Sequence, residues 1–230
     1  MKDFFLVIDT ETSGLPKKWD VAYDIENNWP HILQVAWVVF DKNGKEIKSA
    51  NYYLKNNGFK INKYAFNIHK ITTEFLDLNG EDRKKILTKL AYDLQKYQPL
   101  IIGHFVELDL HMMNVEFHRF KIENSLNELP HFCTMKASVP YIKNPSFKYL
   151  KLNRFYKTLF HKRPVKLHDA LADAKLTAEI FFHLLEKGEV SDAIIKKQTE
   201  LNQKEKKIPL WIFSILALLI ISLLIWLCYE

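Results

Sequence analysis

Phe4-Phe5-Leu6-Val7-Ile8 runs straight into Asp9-Thr10-Glu11-Thr12-Ser13-Gly14-Leu15. The first five residues are continuously apolar and rich in aromatic and β-branched side chains, the mark of a buried strand. Asp9 and Glu11 follow at spacing i, i+2, which in an extended chain points both carboxylates to one side. Two like charges side by side at the end of a buried strand are costly unless something cationic sits between them. No basic residue follows until Lys17. A divalent metal ion with oxygen ligands is the natural partner.

Working outward, Gln34 to Asp41 reads as a second buried strand, Asp41-Lys42-Asn43-Gly44 as a hairpin turn, and Glu46 to Leu54 as a third strand paired antiparallel to the second. Lys60 to Leu78 reads as short helices and loops. Ile86, Leu87, Leu90, Ala91, Leu94 and Tyr97 recur at helical spacing and predict an amphipathic helix over Glu81 to Tyr97. Leu100 to Gly103 is a short buried strand, Leu108 to Phe120 a helix, Phe132 to Thr134 a last short strand, and Lys148 to Phe160 a helix. His168 to Lys187 is expected as one helix, with Ala170, Ala174 and Ala178 allowing close approach to the sheet. Three strands followed by alternating helix and strand imply an α/β fold, a mixed sheet with helices on its faces.

Three further residues join Asp9 and Glu11 as candidates. Asp109 lies just after a buried strand, in the first turn of a helix; alone, it has an ordinary explanation in the helix dipole. His168 and Asp173 lie in His168-Asp169-Ala170-Leu171-Ala172-Asp173-Ala174. Five residues of helix is about 140° of rotation, so these two converge only if His168 stands at or before the helix start.

With these residues in place, the chain resembles the DEDDh family of 3′→5′ exonucleases, the group of the epsilon proofreading subunit of bacterial replicative polymerase. The family's Asp-x-Glu-Thr-Thr/Ser-Gly-Leu is matched by Asp9 to Leu15, its Gly-His-Asn-x-x-Phe-Asp by Gly103 to Asp109, and its His-x-Ala-x-x-Asp-Ala by His168 to Ala174. His69-Lys70-Ile71-Thr72 resembles its His-Gly-Ile-Thr segment. Phe105 replaces the usual Asn, Leu108 the usual Phe, and Lys70 a loop glycine. The resemblance implies a ribonuclease H-like mixed five-stranded sheet with flanking helices over residues 1–187. It also implies two Mg²⁺ or Mn²⁺ ions, with Asp9 bridging both, Glu11 and Asp173 holding one and Asp109 the other, and His168 as general base. Histidine suits that role because its unperturbed pKa lies near working pH; its neighbours act in opposite directions, so no net shift is expected. Thr12, Ser13, Gly14 and Leu15 are expected to hold the terminal nucleotide, Leu15 as a wedge and Phe105 as a stacking surface, with His69 and His104 counted beside them. The implied partner is the 3′ end of DNA or RNA, single strand preferred. The Phe105 exchange leaves a second reading open, a catalytically weak binding module for nucleic acid or protein.

The net charge of +6 fits a polyanion partner. Cys133 and Cys228 have neither a pairing pattern nor metal-ligand spacing, as in a reduced compartment. The chain starts with a core strand, so no signal peptide is expected. Residues 188–207 are lysine-rich and read as a linker or helix extension. Residues 208–229 carry no charge. About 20 residues of helix cross a bilayer of about 30 Å, and Trp211, Trp226 and Tyr229 sit where interfacial aromatics belong. Lys204, Lys206 and Lys207 precede the run, so a single-pass anchor with the N-terminal domain in the cytoplasm is expected. The alternatives are a buried core helix or an apolar seam between copies.

Overall fold

The computed structural model describes residues 1–164 and 167–204. The apolar run 208–229 lies outside them; among the described residues no helix is long and apolar enough to cross a membrane.

A five-stranded sheet forms the centre: β1 (Phe4–Thr12), β2 (Ile32–Asp41), β3 (Glu46–Tyr53), β4 (Leu100–Gly103) and β5 (His131–Cys133), in the order β3-β2-β1-β4-β5. β2 pairs antiparallel with β1 and β3; β4 is parallel to both β1 and β5. The expected mixed sheet is therefore present. The helices are α1 (Lys63–His69), α2 (Thr73–Asn79), α3 (Arg83–Tyr97), α4 (Val106–Phe120), α5 (Thr134–Ala137), α6 (Leu152–Phe160), α7 (Ala170–Glu186) and α8 (Asp192–Lys204).

Two apolar layers sandwich the sheet. Leu6, Ile8 and Ile101 pack with Leu90 and Leu94 of α3 and Met113 of α4. Phe5, Val7 and Ile102 pack on the other face with Phe155 of α6 and Ala174, Ala178 and Phe181 of α7. Ala170 and Ala174 have no exposed surface, so α7 does press on the sheet along its alanine stripe. Gly103 ends β4 where a Cβ would lie 3.0 Å from the Val106 Cβ; the turn from β4 into α4 is tight because that residue has no side chain.

Several boundaries differ from the sequence reading, three of them with a clear physical cause. α6 begins at Leu152, not Lys148, because Leu150 is held in the preceding loop by Ser138 Oγ and His104. α7 begins at Ala170, because Asp169 accepts the Ala172 N–H at 3.1 Å and caps it. Beyond α7, Gly188 turns at φ 73 and the lysine-rich segment folds back as a separate helix, α8. Gln198 accepts the Cys133 N–H at 2.7 Å and Thr199 the His131 N–H at 3.1 Å. α8 thus covers the open edge of β5, and neither a linker nor an extension of α7 describes it.

Candidate active site

Strand alternation sorts the first motif. Leu6 and Ile8 belong to the layer under α3 and α4, Phe5 and Val7 to the layer under α7. Thr10 therefore points to the first layer, and Asp9 and Glu11 to the second. Asp173, in the first turn of α7, meets Glu11 on that face. One ligand atom each from Glu11, Asp173 and His168 lie within 4.8 Å of one another. Asp109 comes from the opposite layer, in the first turn of α4, and its Oδ1 accepts the Thr10 hydroxyl at 2.7 Å. β1 and β4 are parallel, so their carboxyl ends open at the same place, where helices begin and ligands bind in such sheets.

α7 is sewn to the sheet at its start. Gln34, fully buried opposite Glu11 in β2, accepts the Ala170 N–H at 3.2 Å and donates to Asn51 at 2.9 Å and Asp169 at 3.4 Å. His168 stands outside the helix with φ 60, and its backbone N–H donates to Asp173 Oδ2 at 3.0 Å. That is the placement convergence requires.

The acids share one small volume. Glu11, Asp109 and Asp173 are buried and Asp9 half-buried. Burial, then the charges of Asp109, Asp173 and Glu11, hold Asp9 well above the usual carboxylate range. Burial and then Asp173 push Glu11 up to about 8. Burial takes Asp109 to about 7 against the lowering hydrogen bonds of Thr10, and Asp173 to about 6 against that of His168. Asp173 Oδ1 is buried with no hydrogen-bond partner among the described residues. Crowded carboxylates with a spare buried lone pair form a donor set that fits hard divalent cations. His168 was expected to be unshifted; instead loss of water around its ring, and then the charge of Lys151, lower its pKa.

A cleft of about 460 Å³ opens beside Glu11, between Thr12, Gly14 and Leu15 on one side and Tyr64, Ile68 and His69 of α1 on the other. Its size suits a small ligand. Leu15 is 67% exposed, free to act as a wedge. His69 Nδ1 accepts the Ile71 N–H at 3.0 Å, which leaves Nε2 as the donor. Phe105 sits at φ 77, a left-handed position that Asn adopts readily and a bulky residue only with strain; its ring packs 5.7 Å from that of Trp19. Lys70 likewise occupies a left-handed position, φ 61, closing α1 where glycine is the usual residue.

Two of the residues expected at the substrate are engaged within the protein. His104 Nδ1 bonds Thr134 Oγ1 and Nε2 the Leu150 carbonyl, both at 3.0 Å, and burial drops its pKa to about 4. Both ring nitrogens are used inside the protein, so His104 braces the turn before α4 and offers nothing to a ligand. The Ser13 hydroxyl accepts the His31 N–H at 2.9 Å and its backbone bonds His31 and Asn62, which ties the loop to its surroundings.

The pattern of a family described as Exonuclease matches residues 6–181. The chain belongs to that exonuclease family. The DEDDh character read from its three motifs stands with it. DNA polymerase III subunit epsilon of Aquifex aeolicus (strain VF5) is 30% identical over 122 residues, covering 52% of this chain and 48% of that protein. The chain therefore matches about half the length of that relative. Escherichia coli exonuclease I in complex with a dT13 oligonucleotide superposes with a TM-score of 0.65 at 16% identity, over 80% of this chain and 41% of that one. A product-bound structure of exonuclease I gives 0.63 at 16% identity, over 80% and 43%. At such identity the likeness is one of fold.

Thr10 and Gln34 join the site through contacts that the motifs do not contain. The signal for Gln34 was present, one polar residue inside an apolar strand; Thr10 was hidden between two acids. For an exonuclease, Thr10→Val should lower turnover about 10–100-fold, the usual scale for a residue that orients a ligand. Thr10→Ser should stay near wild type, and initial rates on an oligonucleotide decide it.

Proposed function

We propose that the chain hydrolyses phosphodiester bonds from the 3′ end of single-stranded DNA or RNA and releases nucleoside monophosphates. One observation carries the reading: Asp9, Glu11, Asp109 and Asp173 converge with His168 beside a cleft of about 460 Å³. Those four acids are the residues that would hold two Mg²⁺ or Mn²⁺ ions. Such ions, when bound, stabilise negative charge on the attacking and leaving oxygens of a phosphodiester. His168 accepts the proton of the attacking water, and its lowered pKa keeps the ring neutral for that task. Leu15 and Phe105 meet the terminal bases, and His69 lines the same cleft, its Nε2 buried and without a hydrogen-bond partner among the described residues. The dT13 oligonucleotide held by exonuclease I supports a single-stranded substrate.

The test is a 5′-labelled oligonucleotide incubated with the full chain, with and without chelator. A ladder shortening from the 3′ end, abolished by chelator, is the expected result. Scattered internal cuts would make it an endonuclease. Binding without products would leave the binding module, the reading that Phe105 favours.

We also propose that residues 208–229 anchor the protein as a single-pass helix, with residues 1–187 in the cytoplasm. Uncharged hydropathy and the lysines before the run support this. Recovery in the soluble fraction without detergent overturns it.

A further inference from the structure

From Leu129 to His168 the chain has no acidic residue and nine Lys or Arg. Without those nine, the net charge of +6 becomes −3. The chain's whole positive excess is thus concentrated in forty consecutive residues. An ordinary solvated face mixes both signs, so this one calls for a cause. Seven of the nine, Lys143, Lys148, Lys151, Arg154, Lys157, Lys162 and Arg163, are exposed, and none forms an ion pair among the described residues. Glu179 and Glu189 meet tyrosines of this segment rather than its cations: Glu179 accepts the Tyr156 hydroxyl at 2.6 Å and Glu189 that of Tyr141 at 2.7 Å.

The segment is also well placed. Leu150 is fixed by His104 Nε2 at its carbonyl and by Ser138 Oγ at its N–H. Lys151 therefore starts beside the turn that carries Phe105 and leads to Asp109. Lys151, Arg154 and Lys157 then follow at three-residue steps, which puts them on one side of α6. The opposite side, with Leu152, Phe155 and Leu159, is turned into the layer under α7. The Arg154 guanidinium lies 4.6 Å from the centre of the Phe147 ring, a flat cationic surface of the kind that bases stack on. The middle of the basic run thus lies beside the site.

We propose that the face formed by residues 143–163 is a phosphate track that holds the single strand behind its 3′ end and feeds it to the site. The inference rests on the exonuclease reading and deepens it. The track adds affinity with each nucleotide until it is filled, and its contribution is electrostatic.

The experiment uses the full chain in non-ionic detergent, with chelator to prevent cleavage, and labelled dT oligonucleotides of increasing length. Single-strand affinity falls with a log–log salt slope of about 0.7 per neutralised phosphate. The triple variant Arg154→Gln/Lys157→Gln/Lys162→Gln should therefore lose about 2 from that slope, and long strands should bind about tenfold to a hundredfold more weakly at ~0.1 M salt. Arg154→Lys/Lys157→Arg/Lys162→Arg should keep the wild-type slope. The p-nitrophenyl ester of thymidine 5′-phosphate has the cleavable bond but no strand; with Mn²⁺ its hydrolysis by the triple variant should stay within about twofold of wild type. An unchanged slope, or equal loss on ester and strand, overturns the track. So does a triple variant that loses binding only to phosphatidylserine-doped micelles, which would make the face a lipid surface. A wild-type chain that cleaves neither substrate refutes the exonuclease reading, while the salt slope still reports on the track.

Discussion

Asp9→Ala is expected to cut turnover at least about a thousandfold, a loss of about 4 kcal/mol of transition-state stabilisation, and to raise the melting temperature of the metal-free protein near pH 8. The two effects have one origin. Asp9 sits among Asp109, Asp173 and Glu11, so it is both the residue most exposed to their repulsion and the one best placed to share cations with them. The pKa values of all four are raised, with burial as the first cause. A raised carboxyl pKa means that the folded state binds more protons than the unfolded chain. Its stability is therefore greatest below the ordinary carboxylate range and falls as pH rises through about 6 for Asp173, about 7 for Asp109 and about 8 for Glu11. Thermal scans in chelator should thus show a melting temperature that declines between about pH 5 and pH 8, and millimolar Mg²⁺ should restore it at the upper end. Asp9→Ala should flatten that decline by a few degrees, as one charge fewer allows. Near-normal turnover in Asp9→Ala would end the assignment of the acids as cation ligands. A metal-free melting temperature indifferent to pH would remove the crowding argument.

The same stretch shows what a sequence reveals and what it withholds. The strand Phe4–Ile8, the paired carboxylates and the placement of Asp109 in a first helical turn are local patterns, and local patterns survive into the fold; Asp173 falls in a first turn because Asp169 caps α7 later than the pattern suggests. Thr10 and Gln34 take their roles from partners 99 and 136 residues away, Asp109 and Ala170, and no local period encodes such a meeting. His104 shows the reverse. It sits inside a matched motif, yet Thr134 and Leu150 occupy both its nitrogens. α8 reads as polar because only a narrow stripe of it docks: Ile195 enters the core and Gln198 and Thr199 bond β5, while Lys196 and Lys197 are exposed. α6 starts later than its sequence pattern suggests because Leu150, a good helix former, is held in the loop by side chains distant in sequence.

His168→Ala should lower kcat by about 10²–10⁴-fold, the span of a lost general base, and leave the affinity for Mg²⁺ within about threefold. The ring stands outside α7 at the open side of the site, and among the described residues only its backbone N–H is hydrogen-bonded, to Asp173. Water can therefore reach the imidazole, whereas the buried carboxylates are better suited to hard cations. Its pKa is lowered by burial and by Lys151, so the neutral, proton-accepting form should persist below the ordinary histidine value of about 6.5. The acidic limb of kcat against pH should fall correspondingly low in the wild type. Lys151→Gln removes the second of those causes and should move that limb upward. Calorimetric Mg²⁺ titration separates the alternatives. If His168 were itself a ligand beside Glu11 and Asp173, its loss would weaken Mg²⁺ binding in step with kcat, and excess metal would restore the rate. A kcat defect that no metal concentration repairs is the outcome the geometry favours.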